Sequence, residues 1–245
     1  RNNPEARRWL SHLYMLLGKF EEALIKIDKL LQIENKNFNY IKDKAFITYS
    51  LKNYELAKKN IEIALKINSM DYFLQNIYGL IYLRENKLND AIKCFTKSIE
   101  YNKSYVDSYN NLGVCFFELE DFLSAFSSFK KAYRLNKNHL YTLNNLGNSL
   151  SIINQNKLAL FYYKRALEIK PDYAELLTNI SISYMKMNDE KNASKFYIKS
   201  ININPNDHEL KYAYSVFQLS LGNFDLGWKY YDSRFYKRKN YNGIK

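Results

Sequence analysis

Three asparagines, Asn111, Asn145 and Asn179, stand 34 residues apart, and Asn76, Asn110, Asn144 and Asn148 enrich the same stretches. A carboxamide offers one acceptor oxygen and two donor protons, so it can pair with a peptide bond whatever side chain that peptide carries. An array of such groups at constant spacing is suited to holding an extended polypeptide by its backbone, and these seven residues are the candidate peptide-binding set. The same amides could instead hydrogen-bond a turn or a neighbouring helix of a chain that is simply rich in Asn. Groups suited to bond-making chemistry are sparse. His12, His139 and His208 lie far apart, Cys94 and Cys115 form no CxxC pair, and no HExxH, GxSxG or Gly-rich phosphate loop occurs. No catalytic residue, metal ligand or cofactor is expected, and the chain itself reads as a non-enzyme.

What must position the asparagines is a repeat of 34 residues. Gly79, Gly113 and Gly147 share that step, and extending it tiles the chain, without insertion, into 4–37, 38–71, 72–105, 106–139, 140–173, 174–207 and 208–241. Residues 242–245 are left as a tail. Position 20 of the seven units holds Ala23, Ala57, Ala91, Ala125, Ala159, Ala193 and Gly227. Position 8 holds Ser11, Ala45, Gly79, Gly113, Gly147, Ser181 and Ser215, and position 24 holds Ile27, Ile61, Phe95, Phe129, Tyr163, Tyr197 and Tyr231. Two helices approach to about 8 Å only where neither carries a large side chain, so positions 8 and 20 mark a crossing and position 24 supplies the knob beside it. Position 7 continues an apolar stripe of period 3.6, broken by Lys44 in the second unit. Gly18 and Gly222 mark turns between paired helices, while Pro171 and Pro205 mark the ends of second helices.

This small–small–bulky pattern, with "NNLG" early in a unit and Pro near its end, resembles the tetratricopeptide repeat family over residues 4–241. The resemblance implies an all-α fold: a right-handed superhelical solenoid of about seven antiparallel helix hairpins, fourteen helices in all, with first helices lining a concave groove. The function it implies is a scaffold that binds a protein or peptide as an extended segment in that groove. The Asn column is similar to the asparagine ladder of the repeat region in O-linked N-acetylglucosamine transferases and their bacterial relatives. The phrase Leu221-Gly222-Asn223-Phe224 followed by Gly227-Trp228, Tyr231 and Arg234 is similar to the segment that leads from such repeats into a glycosyltransferase-like domain. An alternative expectation is therefore the acceptor-recruiting region of a larger sugar transferase, with a C-terminal domain packing on Trp228, Tyr231 and Phe235. Tyr236 and Tyr241 would add to that apolar end.

Charge narrows the partner class. Lys and Arg number 37 against 25 Asp and Glu, a net charge of +12. The positions expected to face the groove carry Arg8, Lys42, Arg84 and Lys186 against Glu5, Asp43, Asp107, Glu118, Glu175 and Glu209. The groove is not basic, so nucleic acid is not the expected partner. Apolar residues at positions 9 and 12 (Phe46, Leu80, Val114, Ile182, Tyr49, Leu83, Phe117 and Met185) would form an exposed stripe or pack between first helices, and packing is favoured. No apolar run is long enough to span a membrane, and the scattered cysteines suit a reducing cytoplasm.

Overall fold

The computed structural model describes residues 4–235. Among them are fourteen α-helices and no strand, so the expected all-α class holds. The chain divides into two compact units, Arg1–Leu135 and Asn136–Lys245. The first contains α1 (Pro4–Leu16), α2 (Phe20–Leu31), α3 (Phe38–Ser50), α4 (Tyr54–Ile67), α5 (Tyr72–Arg84), α6 (Leu88–Tyr101), α7 (Val106–Glu118) and α8 (Phe122–Leu135). The second contains α9 (Leu140–Ile152), α10 (Asn156–Ile169), α11 (Ala174–Lys186), α12 (Glu190–Ile203), α13 (His208–Ser220) and α14 (Phe224–Tyr231), followed by a 3-10 turn at Asp232–Arg234. The odd-numbered helices begin at residues 4, 38, 72, 106, 140, 174 and 208, a constant step of 34. The end of the seventh repeat beyond Phe235, with Tyr236, Tyr241 and the tail 242–245, lies outside the described residues.

Each odd–even pair is an antiparallel hairpin whose crossing is set by side-chain volume. A Cβ added at Gly79 would come within 2.6 Å of the Phe95 ring, one at Gly113 within 2.5 Å of Phe129, and one at Gly147 within 2.2 Å of Tyr163. The glycine therefore makes room for the ring four positions beyond the alanine of the facing helix. In the first two repeats, where the knob is Ile, Ser11 and Ala45 are buried with Ile27 and Ile61, whereas the sixth repeat buries Ser181 together with the larger Tyr197.

The turn inside each hairpin is also uniform. Position 15 adopts positive φ in all seven repeats: Gly18, Lys52, Asn86, Glu120, Asn154, Asn188 and Gly222, with φ from 58° to 77°. The next residue's N–H reaches back to a carbonyl five residues earlier, as from Lys19 to Tyr14, Lys87 to Tyr82 and Asn223 to Gln218, at 2.8–3.0 Å. This left-handed closure satisfies carbonyls that the helix end would otherwise leave unpaired.

Within each unit successive hairpins stack. In the first, Ala23, Ile27 and Leu30 of α2 cover Tyr40 and Ile47 of α3, and Ala57, Ile61 and Ala64 of α4 join Leu74, Ile77 and Ile81 of α5. In the second, Ala193, Tyr197 and Ile201 of α12 join Leu210, Tyr214 and Phe217 of α13. The stripe residue Lys44, apolar in most repeats, places its Nζ 2.7 Å from Asp28 Oδ1 on α2, so an ion pair replaces the missing apolar contact.

Candidate functional site

The candidate amides sit on first helices at two depths. Asn76, Asn110 and Asn144, at repeat position 5, are buried, while Asn111, Asn145 and Asn179, at position 6, are partly exposed, as is Asn148 at position 9. The two layers are bonded across neighbouring repeats. In the first unit Asn111 Nδ2 donates to Asn76 Oδ1 at 3.0 Å, and Asn110 Nδ2 donates to Asn111 Oδ1 at 3.4 Å. Beneath them Ser108 Oγ lies 3.1 Å from Asn76 Oδ1 and 2.7 Å from Ser98 Oγ, which donates to the Tyr72 carbonyl at 2.7 Å. In the second unit Asn179 Nδ2 donates to Asn144 Oδ1 and to Asn148 Oδ1, both at 3.0 Å. Asn148 Oδ1 also accepts from the Tyr163 hydroxyl at 2.7 Å, and Asn144 Nδ2 donates to Glu175 Oε1 at 3.3 Å.

A charged version of the same rung opens the first unit. Arg8 Nε lies 2.9 Å from Asp43 Oδ2, and His12 Nε2 is 3.0 Å from the same oxygen. Lys42 Nζ pairs with Asp71 at 2.6 Å, while the other oxygen of Asp71 caps α5 by accepting from the Leu74 N–H at 2.9 Å. Near the far end of α11, Lys186 Nζ donates to the Ser151 carbonyl at 2.8 Å. Four of these bonds, Arg8–Asp43, Asn76–Asn111, Ser151–Lys186 and Asn144–Asn179, join residues 35 apart. Each pairs one position of a repeat with the next position of the following repeat. Aligning units at 34 places these partners in adjacent columns; reading positions 5 and 6 together would have exposed the pairing.

The groove charges expected from sequence are thus partly neutralised, since Arg8 is paired with Asp43 and Lys42 with Asp71, while Glu175 keeps its charge and accepts from Asn144 and from the Tyr173 hydroxyl at 3.0 Å. The apolar residues of positions 9 and 12 pack between helices. Phe46 has ring neighbours at 5.7 Å (Phe73) and 6.3 Å (Phe20), and Phe117 meets Phe122 at 5.5 Å. Tyr49 meets Tyr54 at 5.9 Å, Leu80 and Leu83 lie on the Ala91–Phe95–Cys115 cluster, and Ile182 and Met185 on that of Ala193 and Tyr197. Val114 is partly buried.

Burial pushes the Cys94 thiol up to about 11 and the Cys115 thiol up to about 12, so both are neutral packing groups at ordinary pH. His12 sits in the charged rung and His139 Nδ1 is 2.7 Å from Thr142 Oγ1. Among the described residues no three His, Cys, Asp or Glu side chains gather as a metal site, and no helix is long and apolar enough to cross a membrane. In the last hairpin Trp228 packs edge-on to Tyr231 at 4.9 Å, and the Arg234 guanidinium lies 4.0 Å from the Tyr231 centroid. Trp228 and Phe235 remain 58% and 46% exposed.

Comparison with known proteins agrees with this architecture. Tetratricopeptide repeat models match residues 105–172 and 174–207, and a TPR repeat model matches residues 79–120. Among solved structures, PilF of Pseudomonas aeruginosa superimposes with a TM-score of 0.74 at 19% identity, covering 85% of this chain and 95% of that one. PilW, a type IV pilus biogenesis factor, gives a TM-score of 0.75 at 19% identity over 87% of this chain and 99% of that one. YrrB, described as a TPR protein with an unusual peptide-binding site, gives 0.58 at 20% identity over 76% and 96%. At these identities the likeness is one of fold. The chain carries tetratricopeptide repeats, and their fold supports a role in protein interaction.

Proposed function

We propose that this chain binds an extended segment of a partner protein along the exposed faces of its first helices, with Asn111, Asn145 and Asn179 contacting the segment's backbone. The observation that carries this reading is the two-layer amide arrangement. Buried Asn76 in one unit, and Asn144 with Asn148 in the other, hold a partly exposed amide in a fixed orientation. Asn179 gives both Nδ2 protons to Asn144 and Asn148, so it offers a ligand its oxygen as an acceptor, and a group fixed in advance loses little side-chain entropy when a peptide docks. In this reading position 6 meets the ligand and the buried amides Asn76, Asn110 and Asn144 support it from beneath.

The test begins with binders selected from a displayed library of unstructured peptides. Converting Asn111, Asn145 and Asn179 to Ala should weaken a selected peptide about 5-fold or more, the loss of roughly 1 kcal/mol of hydrogen bonding. N-methylation of alternate peptide nitrogens should weaken it likewise. Affinity unchanged in a triple variant that is still folded at the assay temperature would sink the assignment.

A second reading rests on the last hairpin. The exposed Trp228 and Phe235, within a phrase similar to those that precede glycosyltransferase-like domains, favour a further folded segment docking there. On that reading the repeats recruit acceptor proteins for sugar transfer. Reading the natural coding sequence past Lys245, then assaying sugar-nucleotide turnover, decides it; a continuation without a folded domain would end it.

A further inference from the structure

Positive charge is segregated within the second unit. Its first helices are balanced: α9 carries no charged residue, α11 carries Glu175 and Lys186, and α13 carries Glu209 and Lys211. The second helices α10 and α12 instead carry Lys157, Lys164, Arg165, Lys191, Lys195 and Lys199 against Glu168 and Glu190. All five lysines are exposed, and among the described residues none of them has a carboxylate within ion-pair distance. These helices belong to the fifth and sixth of seven repeats, with a repeat before and after each in the chain, so their exposure is not an end effect. Apolar side chains stand among the lysines: Leu158, Phe161 and Ile198 are 52%, 55% and 44% exposed. Leu158 and Phe161 share one face of α10, with Lys157 and Lys164 within a turn of them, and Ile198 lies beside Lys195 and Lys199 on α12. At the repeat position of Phe161 the other units carry Ile25, Lys59, Lys93, Ser127, Lys195 and Lys229, so an exposed aromatic ring there is particular to α10.

Ring contacts tie the two helices into one patch. Lys164 Nζ lies 5.6 Å from the Tyr184 centroid, Tyr184 stacks on Phe196 at 5.7 Å, and Lys199 Nζ lies 5.6 Å from the Phe196 centroid. A basic face with apolar groups interleaved is complementary to an anionic lipid surface, where ammonium groups meet headgroup phosphates and apolar groups enter the boundary with the acyl chains. Single-stranded nucleic acid is a poorer match, because Leu158 and Ile198 cannot stack on bases and the faces of Tyr184 and Phe196 already meet each other and the lysines. An acidic protein partner is better held by the rigid fork of Arg, whereas the mobile point charge of Lys suits a fluid array of phosphates. We propose that the exposed faces of α10 and α12 form a peripheral docking surface for anionic lipid membranes. The contact uses second helices, so it leaves the candidate amides Asn145 and Asn179 of the first helices available to a protein segment.

The experiment is co-sedimentation of the whole chain with vesicles of phosphatidylcholine alone and of phosphatidylcholine mixed with phosphatidylglycerol. The expected result is binding to the mixed vesicles only, weakened about tenfold between roughly 0.1 M and 0.5 M salt as screening shortens. Lys195→Glu with Lys199→Glu should weaken it at least about tenfold and Phe161→Ser about fivefold, with the melting temperature unchanged because all three residues are exposed. Lys59→Glu with Lys66→Glu, the same charge change at exposed positions of α4, should leave binding within about twofold. Phe161→Trp, placed in a chain carrying Trp9→Phe and Trp228→Phe, should shift its emission to the blue on the mixed vesicles. Absence of binding to those vesicles would overturn the proposal. So would an equal loss from the α4 pair, binding that survives the α12 charge reversals, or an emission that does not move. Binding of oligouridylate or of a poly-glutamate peptide through these lysines in preference to the vesicles would overturn it as well.

Discussion

The side-chain amide of Asn179 gives one hydrogen bond to Asn144, 35 residues earlier on the neighbouring first helix, at 3.0 Å. Its second bond, also 3.0 Å, goes to Asn148. Asn179 is therefore both a candidate ligand contact and a clamp between repeats. Asn179→Ala strands the buried Asn144 oxygen, so stability should fall by about 1–3 kcal/mol, read as a lower urea midpoint at unchanged m value. Asn111→Ala leaves the buried Asn76 oxygen only its bond from Ser108 at 3.1 Å, so it should act in the same direction with a smaller effect. Binding tests on these variants must be run well below the lowered melting temperature. A midpoint unmoved by either substitution would show that the rung contributes no cohesion.

The hairpin crossing makes a sharper demand. A Cβ at Gly79 would sit 2.6 Å from the Phe95 ring, too close without movement. Gly79→Ala should cost about 1–3 kcal/mol by overpacking. The second repeat accommodates Ala45 opposite Ile61 with both fully buried. Gly79→Ala combined with Phe95→Ile rebuilds that pair, so the double variant should be more stable than the two single losses predict by addition. A double-mutant cycle in chemical denaturation measures the coupling; simple additivity would mean the two positions do not constrain each other.

How far the sequence showed the molecule depends on whether a feature repeats at 34. The small position 8, the alanines of position 20 and the bulky position 24 recur in register, and so the hairpins were legible. The ladder was not, because Asn76 bonds Asn111 and Arg8 bonds Asp43 at 35, and each partner alone looks like a separate polar column. The left-handed turn was visible only at Gly18 and Gly222. Its other holders are Lys52, Asn86, Glu120, Asn154 and Asn188, and neither Lys nor Glu announces positive φ. The turn there is imposed by the packing of the two helices it joins, which overrides the local preference.

That override has a measurable cost. Glu120 holds φ 59°, a conformation that disfavours a side chain with a Cβ by roughly 1 kcal/mol. Glu120 is exposed, so its removal empties no core. Glu120→Gly should raise the melting temperature by about 2–4 °C, and Lys52→Gly should do the same at φ 61°. The larger backbone entropy of glycine in the unfolded chain opposes the gain, so a decrease at both sites would show that entropy outweighs relief of strain at this turn.

The thiols supply a test of burial. Cys115 is fully buried and Cys94 nearly so, and burial pushes their ionisation up to about 12 and about 11. Since the thiolate is the reactive form, a disulfide reagent at pH 8 should modify neither thiol in the folded chain, while both should react once denaturant exposes them. The sign of the accompanying pH effect is fixed. An unfolded thiol ionises near ~8.5, so the preference of the folded state for neutral thiols is fully expressed below that value. As pH rises from there towards 11–12 the unfolded state gains by releasing protons first, and stability falls. Stopped-flow modification at graded denaturant should therefore give a native rate that tracks opening of the first unit. Rapid modification of either thiol under native conditions would show that the α6–α7 packing around Cys94 and Cys115 is open in solution.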